Sequence, residues 1–153
     1  MIIRKSFTAE IAHRVLGAYT TKCQGVHGHS YTIEVFMEEN CLDPCGMVLD
    51  FKLVKEKLWL LAAMDHTLII WDKDQELVNL ARILSRRYII VPYNTTAEHM
   101  SMHILRQAQV DHIPVIQVIV HETTTGMALC KSTDVFSMPL EEVLFSDELL
   151  ARI

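Results

Sequence analysis

The chain has 153 residues, of which 50% are hydrophobic and 22% are charged, and its net charge is −5. These values are typical of a single globular domain and exclude general disorder, and the acidic balance disfavours a nucleic-acid binder, which needs a basic face. No apolar run reaches the roughly 20 residues of a membrane span, and residues 1–5 turn polar too early for a secretory signal.

The first predicted elements are two strands and a helix. Residues 2–13 are rich in strand formers, and residues 26–38 alternate so that His27, His29 and Tyr31 share one face. Turn residues fill 40–46. Apolar residues then recur at spacings of three and four, which predicts an amphipathic helix after Asp50 as its N-cap. The apolar residues of this helix are Phe51, Val54, Leu58 and Leu61.

The second half of the chain predicts a strand, a helix and two further strands. The strand covers 87–92, and the helix covers 96–109, where residues 95–98 (TTAE) fit a capping box. One face of that helix carries Ala97, Met100, Ile104, Leu105 and Ala108. Residues 115–120 and 127–131 read as strands joined by a turn at 123–126.

This order of elements predicts an α+β fold, an antiparallel sheet covered by helices on one face, with irregular structure in the middle of the chain. We expect a single domain over 1–153. The tail, 132–153, carries a partly amphipathic pattern and is expected to pack on the body of the subunit or at an interface. Its apolar residues are Leu140, Val143, Leu144, Leu149 and Leu150.

A cluster of histidines carries the chemical signal. His27 and His29 lie two apart on a predicted strand, so their side chains point the same way. If the two first strands form a hairpin, His13 can supply a third nitrogen. Three histidines leave one position of a tetrahedral zinc open for water or substrate, as in catalytic zinc sites. The alternative is that His27 and His29 are polar residues on a solvated strand face.

The cysteines suggest one reactive thiol. Cys23 lies in a loop four residues before His27, where a neighbouring cation favours the thiolate. The alternative for Cys23 is a small buried core residue. Cys41, Cys45 and Cys130 are interpreted as structural. Four cysteines in a chain of this length are not a disulfide scaffold, which favours reduced thiols in the cytoplasm.

Carboxylates and further histidines complete the candidates. Asp65 precedes His66, and a carboxylate beside an imidazole can fix its tautomer for proton transfer, although a helix cap and a surface histidine are the alternative. Glu122 follows a buried strand and could accept from paired N–H donors of a ligand. His121 should face the opposite side of that strand. The histidines interpreted as helix-surface residues are His99, His103 and His112.

These segments, in this order, resemble the 6-pyruvoyltetrahydropterin synthase and 6-carboxytetrahydropterin synthase family. The matching segments, over residues 2–131, are FTAEIAHR (7–14), CxxxHGHS (23–30), GMVLDF (46–51), DH (65–66), NTTAE (94–98) and Glu122. The family commonly has Pro where this chain has Thr95, a change compatible with a helix start. The resemblance implies the tunnelling fold, in which sheets of three subunits form a barrel and two trimers stack into a homohexamer. It also implies a pterin site between subunits.

The resemblance also implies roles for individual residues. His13, His27 and His29 correspond to zinc ligands, Cys23 to the catalytic thiol, and Asp65 and His66 to its relay partners. Glu122 corresponds to the carboxylate that anchors the pterin, with Thr96 a weaker contact nearby. The implied substrate is 7,8-dihydroneopterin triphosphate, whose side-chain hydroxyls the zinc would coordinate.

The resemblance leaves the product open. The sequence from Phe7 to His13 looks closer to members that form 6-carboxytetrahydropterin with loss of acetaldehyde and triphosphate, a step of queuosine synthesis. The alternative is elimination of triphosphate alone to give 6-pyruvoyltetrahydropterin. Cys23 argues against a third branch, which has glutamate in its place and serves folate synthesis. Two other classes stay open: a non-catalytic pterin-binding relative that holds zinc, and an unrelated three-histidine zinc hydrolase.

Overall fold

The computed structural model describes residues 1–84, 86–134 and 137–151. Seven strands form one sheet: β1 (Ile2–His13), β2 (His27–Glu38), β3 (Thr67–Trp71), β4 (Tyr88–Val91), β5 (Val115–His121), β6 (Met127–Lys131) and β7 (Leu144–Phe145). The α-helices are α1 (Thr21–Gln24), α2 (Phe51–Lys57), α3 (Trp59–Met64), α4 (Gln75–Leu84), α5 (Ala97–Val110) and α6 (Asp147–Leu150). A 3₁₀ turn covers Leu140–Glu142. Among the described residues, no helix is both long and apolar enough to cross a bilayer.

The sheet has the order β6-β5-β2-β1-β3-β4-β7 and is mostly antiparallel. At its centre β1 and β2 form a long hairpin whose register runs from Ile2 opposite Glu38 to His13 opposite His27. β5 pairs with the other edge of β2, and β6 pairs with β5. The α+β class is therefore confirmed, as is the pairing of the first two strands.

The middle of the chain is regular, which corrects the expectation of irregular structure there. β3 and β4 pair in parallel, and β3 also pairs in parallel with β1. Parallel neighbours need a crossover, and α4 provides it between β3 and β4. Strands of this kind are buried on both faces and read as continuous apolar runs, such as LII at 68–70, rather than as an alternating pattern.

Most helices cover one face of the sheet, and α4 covers the other. The main core lies under α2, α3 and α5 and includes Ile69 and Ile89. The alternate residues Ile70 and Ile90 pack with the apolar side of α4 in a second, smaller cluster. Because neighbouring residues of a strand point to opposite faces, β3 and β4 supply both clusters.

Two predicted helices differ in detail from the structure. The helix after Asp50 divides at Leu58 into α2 and α3, and Phe51 is exposed while Val54, Leu58 and Leu61 are buried. Asp50 is its N-cap as predicted, because its carboxylate accepts from the Lys52 N–H at 2.6 Å.

For α5 the predicted apolar face is buried. Its N-cap is Thr96, whose Oγ1 accepts from the His99 N–H at 3.4 Å, so the capping box that begins at Thr95 is wrong.

The described part of the tail packs on the body of the subunit. β7 pairs with β4 at the edge of the sheet, Leu149 is buried, and the ring of Phe145 lies 5.6 Å from that of Trp59. Leu144 and Leu150 remain exposed.

Candidate metal centre and pterin site

The hairpin brings three imidazoles together at one end of the sheet. His13 ends β1 opposite His27, the first residue of β2, and His29 follows on the same face. Their ligand nitrogens lie within 4.8 Å of one another. His13 is completely buried, while His27 and His29 are half-buried. The face that carries them is the one that the core covers, which is not the solvated strand face of the alternative interpretation.

Backbone carbonyls fix two of the three rings. His13 Nδ1 lies 2.7 Å from the carbonyl oxygen of Thr95, and His27 Nδ1 lies 2.8 Å from that of Gly25. A carbonyl oxygen can only accept, so each Nδ1 carries the proton and donates it. The lone pair of each Nε2 is then available to a cation. Orientation of this kind is typical of histidines that bind metals.

The donor set fits a divalent transition metal. Three neutral imidazole nitrogens suit zinc and leave a fourth position open, although other ions of the first row accept the same ligands. Burial lowers the pKa of His13, and the Thr95 carbonyl and Glu122 partly oppose this. The neutral ring is the form that binds metals.

Tyr31 is a site residue that the sequence did not single out. It is fully buried on β2, and its hydroxyl donates to Glu122 Oε1 at 3.1 Å while lying 3.2 Å from His13 Nε2. Burial and the nearby Glu122 charge raise the pKa of Tyr31, so the phenol keeps its proton. The sequence feature that could have identified Tyr31 is its position two residues after His29, on the same face of β2.

Glu122 lies beside the histidines because it directly follows β5, which pairs with β2. Its Oε1 is 3.6 Å from His13 Nε2, and 32% of its side chain is exposed. A carboxylate that is held by a phenol and still reachable can accept hydrogen bonds from a ligand. His121 points the other way, with Nε2 3.5 Å from Glu34 Oε2, as predicted.

Cys23 lies in the short helix α1 and not in a loop as predicted, within the segment that connects β1 to β2. Its carbonyl accepts from the Val15 N–H at 2.8 Å, which ties α1 to the chain just after His13. The Thr20 hydroxyl donates to Cys23 Sγ at 3.1 Å. The thiol is half-buried rather than part of the core. Cys130 is buried as expected of a structural residue, whereas Cys41 and Cys45 are exposed.

Asp65 Oδ2 lies 2.9 Å from His66 Nδ1, within hydrogen-bond distance. The other oxygen of Asp65 accepts from the Glu10 N–H at 2.9 Å. Partial burial raises the pKa of Asp65, but the hydrogen bonds from the Glu10 N–H and from His66 outweigh it and hold that pKa below its usual value. The side chain of His66 is 73% exposed, and its backbone has a positive φ of 54°.

His66 borders a cleft of about 470 Å³ whose wall also includes Glu10, His29, Ser30 and Arg87. Ser30 donates to Glu10 at 2.7 Å on the exposed face of the hairpin. Among the hydrogen bonds and ion pairs of the described residues, none joins Asp65 or His66 to Cys23. A larger cavity of about 760 Å³, lined in part by Lys52, Trp59 and Arg87, lies outside the histidine cluster.

The remaining candidates have structural partners. Thr96 uses its hydroxyl to cap α5, and His99 stacks on Tyr93 at 5.4 Å. His103 is buried, not a surface residue, and the Tyr93 hydroxyl lies 2.5 Å from its Nδ1. Because α5 packs against β5 and β6, the side of the helix that carries His103 is covered. His112 follows α5 and is exposed.

Comparisons with known proteins agree on the family. The family model described as 6-pyruvoyl tetrahydropterin synthase matches residues 2–132. A 6-carboxy-5,6,7,8-tetrahydropterin synthase of Rickettsia typhi is 35% identical over 98 residues, 62% of this chain and 70% of that protein. One of Helicobacter pylori is 32% identical over 144 residues, 84% of this chain and 71% of that protein.

The fold is also that of a solved relative. The Caenorhabditis elegans 6-pyruvoyl tetrahydropterin synthase superposes with a TM-score of 0.63 at 21% identity, covering 87% of this chain and 96% of that one. The match to the family model covers residues 2–132, most of the chain. The chain therefore belongs to the 6-pyruvoyl tetrahydropterin synthase family.

Proposed function

We propose that this protein is a zinc-dependent 6-carboxy-5,6,7,8-tetrahydropterin synthase. It would convert 7,8-dihydroneopterin triphosphate and water to 6-carboxytetrahydropterin, acetaldehyde and triphosphate, a step of queuosine and other 7-deazaguanine synthesis. The observation that carries the proposal is the meeting of His13, His27 and His29 with the Glu122 carboxylate beside them. The names of the relatives from Rickettsia and Helicobacter support the choice of product.

Three histidines would hold the zinc, with Nε2 of His13 and His27 already directed by the carbonyls at Nδ1. When bound, the ion would supply Lewis-acid chemistry to the hydroxyl oxygens of the substrate side chain. Glu122 would orient the pterin by accepting from its 2-amino and N3–H groups. Tyr31 holds that carboxylate in place through Oε1.

Proton transfer would fall to Cys23 and His66. Cys23 Sγ would take and return protons at the carbon atoms of the substrate side chain, and its Thr20 partner fixes the direction of the thiol. In His66, Nδ1 donates to Asp65, so Nε2 is the nitrogen that can exchange a proton with substrate.

The relay pair would serve the site of a neighbouring subunit. Asp65 is bound to the backbone of Glu10, and His66 borders a cleft with Glu10 and Ser30, on the open face of the hairpin. The histidine cluster lies on the face that the core covers, and its member His29 also lines this cleft. A homohexamer in which the sheets of three subunits close into a barrel would bring the open cleft of one subunit to a partner. Such closure also pairs sheet edges that would otherwise be exposed.

A second outcome is elimination of triphosphate alone, to give 6-pyruvoyltetrahydropterin. The description of the matching family model and the name of the C. elegans relative favour it. The residues placed in the site serve both outcomes, so the product has to be measured.

The test is incubation of the zinc-loaded protein with 7,8-dihydroneopterin triphosphate and identification of the pterin by mass. The proposal expects 6-carboxytetrahydropterin with acetaldehyde, and loss of turnover in Cys23→Ala. Cys41→Ala is the matched control, because Cys41 is an exposed thiol outside the site. A 6-pyruvoyl product would support the second outcome, and pterin binding without turnover would support a non-catalytic relative.

A further inference from the structure

The carbonyl oxygen that orients His13 belongs to a residue that is itself fixed by a side-chain bond. Thr95 is fully buried, and its carbonyl accepts from His13 Nδ1 at 2.7 Å. Its hydroxyl donates to the carbonyl oxygen of Arg14 at 2.9 Å. Thr95 therefore bonds to two consecutive residues, one through its backbone and one through its side chain. The residue before Thr95 adds a second clamp, because Asn94 exchanges two hydrogen bonds with the backbone of Leu16, at 2.8 and 3.1 Å.

Arg14 is anchored in turn by a buried carboxylate. Its guanidinium makes two bonds of 2.5 Å to Asp74, whose side chain is 4% exposed, and one of 2.9 Å to Glu76. Bidentate pairs of this kind are rigid as well as strong. Asp74 also accepts from the Leu77 N–H at 3.2 Å at the start of α4. The crossover helix is thus connected to the end of β1.

We propose that Thr95, Arg14 and Asp74 form a positioning network that fixes the ring of His13 for metal binding. The inference rests on the proposed metal centre. The Asp74–Arg14 pair holds the backbone of Arg14, the Thr95 hydroxyl bonds to that backbone, and the Thr95 carbonyl then directs the ring. This chain of hydrogen bonds matters because the outer partners of a metal-binding histidine set its tautomer and its orientation.

The network explains why the hydroxyl at position 95 has a role here. The helix N-cap is Thr96, so Thr95 is not needed to begin α5. Its hydroxyl instead donates a hydrogen bond to the carbonyl oxygen of Arg14. Water cannot easily replace that bond because Thr95 is fully buried. Valine has almost the same shape as threonine and lacks the hydroxyl, so Thr95→Val removes the bond and leaves the carbonyl in place.

The test is the zinc affinity of the purified full chain, measured by competition with a chromogenic chelator at a temperature far below unfolding. Thr95→Val is expected to bind zinc about 10-fold more weakly than the wild type, and Thr95→Ser, which keeps the hydroxyl, to bind within about twofold. A purely structural role would lower the melting temperature of Thr95→Val without changing zinc affinity. That result would overturn the inference.

Asp74→Asn is the second variant, in case Thr95→Val does not fold. Asparagine can still cap α4, but it loses the charge that holds Arg14. The network predicts weaker zinc binding in Asp74→Asn with helix content unchanged by circular dichroism, and wild-type affinity would contradict it. If the wild-type protein itself binds no zinc, the proposed function fails first, so the two failures are distinguishable.

Discussion

His13 Nε2 lies 3.6 Å from Oε1 of Glu122, so the proposed metal ligand and the proposed pterin anchor are immediate neighbours. The first residue ends β1 and the second follows β5, two strands that flank β2 on opposite sides. Tyr31, on the strand between them, bridges the two groups with its hydroxyl. The proposed metal ligands and the proposed pterin anchor therefore lie on, or directly after, three adjacent strands of one sheet.

Glu122→Gln tests the anchoring role. The amide cannot accept from both the 2-amino and N3–H donors as the carboxylate does, and a charge-assisted bond is worth about 1.5–3 kcal/mol, which corresponds to a loss of about 10- to 150-fold in kcat/KM. Zinc content should stay at the wild-type level, as measured by metal analysis. Glu39→Gln, at an exposed position, is the control. Equal kcat/KM in both variants would remove Glu122 from the site.

Tyr31→Phe tests the bridge that the Tyr31 hydroxyl forms between His13 and Glu122. The ring would still fill its buried position, but Glu122 would lose a donor, so we expect KM for the pterin to rise about 5- to 10-fold. Zinc affinity should change by less than about threefold, because His13 keeps its bond to Thr95. Steady-state kinetics and chelator competition measure the two effects. Tyr88→Phe, on β4, is the control, and an unchanged KM in Tyr31→Phe would contradict the bridge.

Mixed assemblies test whether the relay pair acts on a neighbouring subunit. Cys23→Ala and His66→Ala are each expected to be inactive, but subunits unfolded together and reassembled should regain about a quarter of the wild-type rate, since some sites would draw an intact thiol and an intact imidazole from different chains. Activity is measured before and after reassembly. If Cys23 and His66 of the same chain work together, every site in the mixture lacks one of the two groups, and mixing restores no activity.

His103 makes stability depend on pH. Burial lowers its pKa from 6.5 to about 4, so the unfolded chain binds more protons than the folded chain between these values. The contribution is complete above pH 6.5 and is lost as the pH falls toward 4, by about 3 kcal/mol in all. Urea unfolding at several pH values measures it. The His103→Gln variant should show a flatter dependence in this window, and parallel curves would contradict the account.

The sequence predicted the parts of the fold that depend on local pattern. The alternation around His27 and His29 and the helical spacing from Ala97 to Ala108 both correspond to real elements. The crossover formed by β3, α4 and β4 was missed, because strands buried on both faces lose the alternating pattern that identifies a strand. Continuous apolar runs at Ile69 and Ile70 were the available signal.

The candidate site was predictable only where side chains carry the chemistry. His13, His27 and His29 were recognisable by spacing, but the parts played by Tyr31 and the Thr95 carbonyl were not. Thr95 is 82 residues from His13 along the chain, and a backbone acceptor leaves no mark in a sequence. His103 was assigned to the surface because its cover comes from packing of α5 on the sheet, which a single helix pattern does not show.

The most direct test of the central claim is removal and return of the metal. Protein treated with a chelator and dialysed should lose turnover of 7,8-dihydroneopterin triphosphate, and titration with zinc should restore it with an end point near one ion per chain. His27→Ala should not recover over the same titration. Full turnover by metal-free protein, or recovery in His27→Ala equal to that of the wild type, would contradict a catalytic metal centre at His13, His27 and His29.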